Sequence, residues 1–405
     1  MTDDLMKSSG SGDAGNSTHA DEQRLYPKVR FRGFDEPWKK VKLGEIATTY
    51  SGGTPKAGNK KYYNGLIPFI RSGEIHSNKT ELFISEAGLK NSSAKMVTKG
   101  DLLYALYGAT SGEVDISKIN GAINQAVLAI IPKQYNPYII SLLLSKKKDA
   151  ILSKYLQGGQ GNLSAEIVKS IKLILPSKNE ESSLYPLFKV LDNLLSLQQR
   201  KLELISALEK GLGQIIKQQN NKYGITFSLN NFLEIPPQIQ ARIKNKNQLL
   251  TVKLNLQGLA RGVQRDTLSL GSTKYFIRHT GELIFGKQNI FNGSIALITK
   301  EFDGLATSND VPSLKISNIN PQFLFYLLKN PDFWKHTELI ATGTGSKRVH
   351  IHDLLKLHIK IIPDAKYQAK IVSLSRNFEK IVLNQQIIVK ECEKTKQFLL
   401  QNLFI

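Results

Sequence analysis

The apolar positions of the chain fall into a long helical seam, a set of short strands, and a polar leader with little to bury. From Leu184, alternating steps of four and three land on Leu184, Phe188, Leu191, Leu195, Gln198, Leu202, Ile205, Glu209, Leu212 and Ile216. Eight of these ten positions are apolar, so one face of a long helix is turned toward a partner helix, as in a coiled-coil seam. The same walk restarted at Ile371 gives Ile371, Ser375, Phe378, Val382, Gln385, Val389, Cys392, Lys396, Leu399 and Leu403. The glutamine interruption recurs in phase, Gln198-Gln199 as Gln385-Gln386, and Ile174-Leu175-Pro176 recurs as Ile361-Ile362-Pro363. The pattern predicts a duplicated unit whose two long helices can pack on each other.

Ahead of each helix the pattern shortens. Ser51-Gly52-Gly53-Thr54-Pro55, Ile67–Arg71 and Gly100–Tyr104 read as strands and turns, Ala126–Ile131 as a buried strand, and Pro137–Ser145 as a helix. Gly281–Phe285 answers Gly100–Tyr104 at an offset of 181, and Asn320-Pro321 with Phe323–Lys329 answers Asn136-Pro137 and its helix at 184. An offset that grows along the chain is what small insertions into a duplicated domain produce, and the period is too long for a solenoid. Lys56–Tyr63 has no counterpart in Leu249–Lys274, so matched scaffolds carry unmatched surfaces. The expected organisation is a polar, disordered segment 1–25, a globular part 26–176, a long helix 177–218, a second globular part 219–363 and a second long helix 364–405. The fold class is α+β multidomain: two α/β parts separated by two long helices, with a pseudo-twofold internal repeat.

Charge changes this picture from architecture to partner. Of a formal net charge of +21, about +11 lies in residues 26–176 and about +9 in residues 218–363, whereas the helical segments carry only about +1 and +3. Two basic globular parts point to a polyanion contacted at two places, with double-stranded DNA or RNA ahead of an anionic membrane, because the basic residues are not gathered on one amphipathic helix. The apolar runs are too short to cross a bilayer, and no secretory pattern opens the chain. The single cysteine, Cys392, cannot form an internal disulfide. Together these place the expected site of action in the cytoplasm.

Enzymatic motifs are missing. Gly271-Ser272-Thr273-Lys274 and Gly343–Lys347 have the wrong order for a phosphate-cradling loop, and Gly159-Gln160-Gly161 lacks the third glycine of a dinucleotide fingerprint. Asn136-Pro137-Tyr138 lacks the second proline of an amino-methyltransferase loop and reads as a helix start. His350 and His352 alternate as in a strand, without companion metal ligands. Neither Pro331-Asp332 nor Pro363-Asp364 is followed by a Glu-x-Lys nuclease strand. The expectation is no catalytic residue and no metal.

Base reading needs donors and acceptors that reach base edges, with lysine and arginine on phosphates. In the first part Lys56, Lys60, Lys61, Tyr62 and Tyr63 form a basic-aromatic loop, and Arg71 and Ser72 follow a strand end. Gln157, Gln160 and Asn162 bring amides to a glycine loop whose composition also fits a plain linker. In the second part the candidates are Gln257, Arg261, Gln264 and Arg265; Arg278 and His279; and Lys287, Gln288, Asn289 and Asn292. Lys347 and Arg348 lie in the loop that answers Gln157–Asn162.

In this order, Val29–Phe34 before Trp38, Leu43-Gly44-Glu45-Ile46, Ser51–Pro55, Gly100–Leu103, and the glycine loops before the two Ile-x-Pro segments, the chain resembles the specificity subunit of type I restriction-modification systems. The resemblance spans the chain after residue 25. It implies that 26–176 and 219–363 are target-recognition domains, each reading one half of a split DNA site, and that the two helices pack as an antiparallel coiled coil. Gln198 and Gln385 would then lie near the pseudo-twofold centre. It further implies a non-catalytic chain that binds no cofactor itself. Its partners would be two methyltransferase subunits, which use S-adenosylmethionine to methylate adenine N6, and two translocase-nuclease subunits that use ATP and Mg. Helices of about 35 residues would set half-sites on the order of 10 to 15 base pairs apart, from a rise of about 1.5 Å per residue. A free-standing DNA-binding regulator, or a divergent nuclease or modification enzyme, is the alternative.

Overall fold

The computed structural model describes residues 5–7, 25–156, 162–263, 273–343 and 345–405. The chain forms two compact units, the first made of Met1–Gln199 with Ile388–Ile405 and the second of Arg200–Ile387.

In the first unit the runs that read as continuously apolar are central strands. Leu102–Ala105 lies between Val127–Pro132 and Val114–Ile116, with Ala47–Ser51 at the far edge, all antiparallel. Alternation is hidden in the sequence because both faces of this sheet are covered. Leu102, Tyr104, Leu128 and Ile130 enter the main core with Trp38, Leu43 and Phe188. Leu103, Ala105, Val127 and Ala129 turn to a second cluster with Ile70, Ile75 and Val97. A second sheet, ordered Phe83–Ile84, Tyr63–Ile70, Gly121–Ile123 and Lys95–Val97, stands on that side. Helix α1, Pro137–Tyr155, starts where Asn136 accepts from the Tyr138 amide at 2.9 Å, with proline at the first helical position. It runs on past the expected end at Ser145 to Tyr155, because Ile151 on the following turns is still buried.

The second unit repeats this plan. Its central sheet is ordered Leu233–Glu234, Ser313–Ile316, Leu283–Phe285 and Ile295–Leu297. Leu283, Phe285 and Leu314 face the main core, and Ile284 faces the other cluster. The flanking pairs also match: Lys42 lies opposite Lys172, and Ser228 opposite His358, so both members of the pair are displaced equally along the chain. Helix α3, Pro321–Leu328, is capped by Asn320 as α1 is by Asn136. The second sheets differ. This unit has three strands, Gln240–Ala241, Tyr275–Ile277 and Ala306–Ser308, plus a hairpin of Leu250–Val252 and Leu259–Arg261.

Both long helices form. Helix α2 is Lys178–Tyr223 and helix α4 is Ala365–Leu403. All twenty seam positions are buried or half-buried, including the polar Gln198, Glu209, Ser375, Gln385 and Lys396. In the first unit the seam runs antiparallel: Phe188 meets Phe404 at 5.3 Å between ring centroids, while one turn further on Asp192 binds Lys396 at 2.6 Å. In the second unit Leu212 and Ile216 share a core with Ile371 and Val372. Helix α2 extends past the expected end at residue 218 to Tyr223. The seam stops at Ile216, but Asn220 is buried and accepts from the Ile362 amide at 3.1 Å, which holds the last turn.

Two further expectations change. Within the segment read as disordered, Leu5–Lys7 is a strand paired antiparallel with Val29–Phe31; Leu5-Met6 is the one apolar pair ahead of Leu25. His350 and His352 are not on a strand: His350 immediately precedes the short helix Ile351–Leu355, which contains His352, and their rings stack at 5.8 Å. Leu354 of that helix fills the core, which fixes helical rather than alternating spacing. Among the described residues no group of three His, Cys, Asp or Glu could hold a metal ion, and no helix is long and apolar enough to cross a membrane.

Candidate nucleic-acid interface

The first unit presents its basic loop on a fixed frame. Asn59 accepts from the Lys61 amide at 3.1 Å and starts a single turn over Lys60–Tyr62. Ser85 donates to the Lys61 carbonyl at 2.6 Å, and its own amide donates to the Tyr62 carbonyl at 3.0 Å. Tyr63 donates its hydroxyl to the Pro55 carbonyl at 2.5 Å and closes the loop. With the backbone so tied, the exposed ammonium groups of Lys56, Lys60 and Lys61 form no ion pair among the described residues. Three unpaired cations on a held backbone suit a phosphate track.

A second feature occurs in both units. In the first, the Leu106 amide donates to the Ala126 carbonyl at 2.8 Å and the Leu163 amide to the Leu106 carbonyl at 3.0 Å. In the second, the Lys287 amide donates to the Asp310 carbonyl at 2.8 Å and the Val349 amide to the Lys287 carbonyl at 2.8 Å. The same two backbone bonds join the loop after the central strand, the loop before its neighbour and the end of the glycine loop. On this shared junction the side chains differ. The first unit carries Tyr107, whose backbone forms an isolated antiparallel bridge with that of Asn162, and Thr54, which donates to the Gln125 side chain at 2.5 Å. In the second, the Gln288 carboxamide, oriented to satisfy both bonds, accepts from Arg348 Nε at 3.0 Å and Nη2 at 2.8 Å. Asp310 lies 3.7 Å from Arg348 Nη2.

Of the candidates in the second unit, the structure therefore gathers Lys287, Gln288 and Arg348. Asn289 and Asn292 lie on the adjoining turn and bond to each other at 3.2 Å. The Asn255 and Leu256 amides bond to the Asn292 and Gly293 carbonyls, which brings the hairpin tip with Gln257 alongside. Arg261 stands at the far end of that hairpin, donating to the Glu301 carbonyl at 3.2 Å. Lys347 is exposed and paired with Glu338 at 2.8 Å. Gln157, Gln160, Gln264 and Arg265 lie outside the described residues.

One arginine is corrected and a second is held by carboxylates. Arg278 is 1 % exposed and turned inward, where it donates to Thr307 at 2.7 Å and more weakly to Gln238, Ser313 and the Val311 carbonyl. Burial lowers its pKa to about 10, against the opposing pull of Glu282. Its neighbour His279 remains at the surface beside Asp303. Arg278 supports the loop that carries Asp310 and does not reach DNA from this position; a basic dipeptide after a strand does not reveal which side chain turns inward. Arg71 is half-exposed but held by Glu74 at 3.0 Å and Glu81 at 2.6 Å, which raise its pKa further. Burial pushes the Glu74 carboxyl up, but the bonds from Arg71 and from backbone amides outweigh it and hold the pKa low. Ser72 begins the turn containing Glu74. Asp310 and Gln125 were not singled out from sequence, although Gln125-Ala126 and Asn309-Asp310 stand at matching places before matching strands.

Comparison with known proteins fits this repeated geometry. The type I restriction modification DNA specificity domain matches residues 35–223. A type I restriction enzyme specificity subunit, MjaVIII of Methanocaldococcus jannaschii, is 20% identical over 400 residues, covering 89% of this chain and 91% of that protein. The chain is similar to type I specificity subunits. The MjaIX specificity subunit of the same organism is 26% identical over 181 residues, 42% of this chain and 41% of its own length. In fold, the chain is similar to the crystal structure of the S subunit of a type I restriction-modification system from M. genitalium. That likeness has a TM-score of 0.62 at 12% identity, over 94% of this chain and 99% of that one. A chain from a structural study of complex assembly and conformational transition of the type I R-M system has a TM-score of 0.51 at 13% identity, over 90% and 96%.

Proposed function

We propose that each unit of this specificity subunit reads one half of a bipartite site in double-stranded DNA. The observation that carries the reading is the shared backbone junction. Leu106 is answered by Lys287, Ala126 by Asp310 and Leu163 by Val349, and the same bonds among them hold unlike side chains in the two units. A common frame with exchanged side chains is what two readers of different half-sites require.

The subunit itself has no catalytic role in this reading and binds no cofactor. Methyl transfer from S-adenosylmethionine to adenine N6 falls to two methyltransferase subunits, and ATP- and Mg-dependent translocation and cleavage to two further subunits, all in the cytoplasm. A docking face for them is supported by helix α2, which carries a second stripe of exposed Val190, Leu194 and Leu197 in the first unit and Leu204, Leu208 and Ile215 in the second. Their spacing of four, three or seven residues keeps the heptad period of the seam, so they define another helix-packing face. Burying such side chains against partner helices stabilises by roughly 1.5–3 kcal/mol each before association costs.

The test is a paired substitution, Gln288→Ala with Arg348→Ala, in the complete methyltransferase, with the methylated motif mapped afterwards. The second half-site should relax at one or two positions while the first stays unchanged. Equal relaxation of both halves, or of neither, contradicts the assignment.

A further inference from the structure

The strand Tyr63–Ile70 is interrupted where it pairs with Phe83–Ile84: Tyr63 and Ile67 both lie opposite Ile84, so Asn64, Gly65 and Leu66 are looped out of the ladder. The loop is built, not slack. Asn64 adopts the left-handed conformation at φ 57°, which an asparagine tolerates better than most residues. Gly65 is pressed onto the neighbouring strand so closely that an added Cβ would stand 2.4 Å from the Ile84 carbonyl oxygen and the Ser85 Cα. Leu66, next in the chain, is left 94 % exposed. A lone exposed leucine is ordinary on a protein surface. Here it stands on a bulge held by a left-handed residue and a glycine that cannot be replaced. The exposed Asn64 amide beside it and the ammonium groups of Lys56, Lys60 and Lys61 on the same segment have no partner among the described residues.

We infer that Asn64-Gly65-Leu66 is a base-reading tip of the first unit, with Leu66 packed against the 5-methyl group of a thymine in the major groove. The inference deepens, and rests on, the reading that this unit contacts duplex DNA. Each neighbour contributes a different chemistry. The lysines neutralise phosphates on either side. The Asn64 carboxamide supplies the paired donor and acceptor that match adenine N6 and N7, and Leu66 supplies an apolar surface for the one apolar group displayed in that groove. An acidic protein partner would satisfy the lysines but gives Leu66 no methyl group to cover. Bulges re-aim side chains out of a sheet, and here the re-aimed side chain is the apolar one.

The experiment uses the reconstituted methyltransferase, this chain with its catalytic partners, on duplexes carrying its mapped site. Each thymine of the first half-site is replaced in turn by deoxyuridine, which removes only the methyl group. At one position the wild-type complex should lose affinity by about three- to five-fold, the equivalent of one buried methyl group. The Leu66→Ala complex should bind more weakly and no longer distinguish thymine from deoxyuridine at that position, whereas Leu66→Met should retain the preference. Folding is not at stake, because Leu66 is 94 % exposed, and an unchanged unfolding midpoint verifies it. The inference is overturned if the first half-site contains no thymine. It is also overturned if wild-type and Leu66→Ala complexes respond alike to every deoxyuridine; the bipartite reading survives that result. Absence of any bipartite methylation would overturn both.

Discussion

Replacing Glu180 by alanine removes the anion at the base of helix α2. Its carboxylate accepts from Arg30 Nε and Nη2, each at 2.8 Å, and from Trp38 Nε1 at 2.8 Å. The arginine and glutamate side chains are only 6 % and 1 % exposed. Arg30 retains one bond, from Nη2 to the Glu36 carbonyl at 2.7 Å, and its Nη1 has no partner even in the intact protein. Without Glu180 the guanidinium is a buried, unpaired charge and the indole N–H a buried, unpaired donor, a loss of about 3–5 kcal/mol. With an m-value of about 3 kcal/mol/M, a loss of about 4 kcal/mol lowers the urea midpoint by roughly 1.3 M. Trp38 and Trp334 are the two tryptophans, one in each unit, so a Trp334→Phe background makes fluorescence report on the first unit alone. Pairing Glu180→Leu with Arg30→Met should recover most of the loss, because an apolar pair of similar volume replaces the ion pair without leaving either charge behind. A loss under about 1 kcal/mol for Glu180→Ala, or a double variant as unstable as the single, would refute the reasoning.

Three more outcomes are expected of the same fold. His76 lies 2.9 Å from Asp115 and 3.4 Å from Glu113, with Lys118 and Lys148 on the same carboxylates. The Asp115 bond raises its pKa against the lowering effect of burial, with help from Glu113. The stabilisation is complete below the unfolded value of about 6.5 and is lost as pH rises through the higher folded value; the unfolding midpoint should therefore fall from pH 6 to 8, less so in His76→Gln. Changing Lys56, Lys60 and Lys61 together to glutamine should flatten the salt dependence of DNA binding by up to about 2.7 in log–log slope, at about 0.9 per phosphate contact; an unchanged slope would remove this loop from the phosphate track. Inserting four residues after Gln199 adds about 6 Å of helix and a little over one turn. In methylation maps it should lengthen the unread spacer by roughly two base pairs, at about 3.4 Å each, and leave both half-sites intact.

The helices and the duplication were legible because their signals are long. A seam of ten positions, repeated with its glutamines in phase, needs no knowledge of loops, and every one of those positions is sheltered in the fold. Asn136-Pro137 and Asn320-Pro321 announced two helix starts through local capping chemistry that acts wherever the chain goes. The interface was less legible. Arg278 and Arg348 are both arginines in basic, loop-rich sequence, yet the first faces Thr307 in the interior and the second faces Gln288 at the surface. That difference is decided by which face of which strand the tertiary fold covers, and short strands covered on both faces carry no alternation to reveal it. Arg71 illustrates a second limit: its partner Glu81 lies beyond a turn, well outside any local spacing rule, so neutralisation of the cation is a property of the folded loop.

In the proposed function one chain supplies two half-site specificities to catalytic partners. This is tested most directly by single-molecule sequencing of adenine methylation in cells that carry the partner subunits, with and without this protein. The expected result is a single bipartite motif, two short defined halves flanking unread bases, present only when the chain is expressed. A contiguous motif, a motif that persists without the chain, or methylation by the chain in the absence of its partners would contradict it.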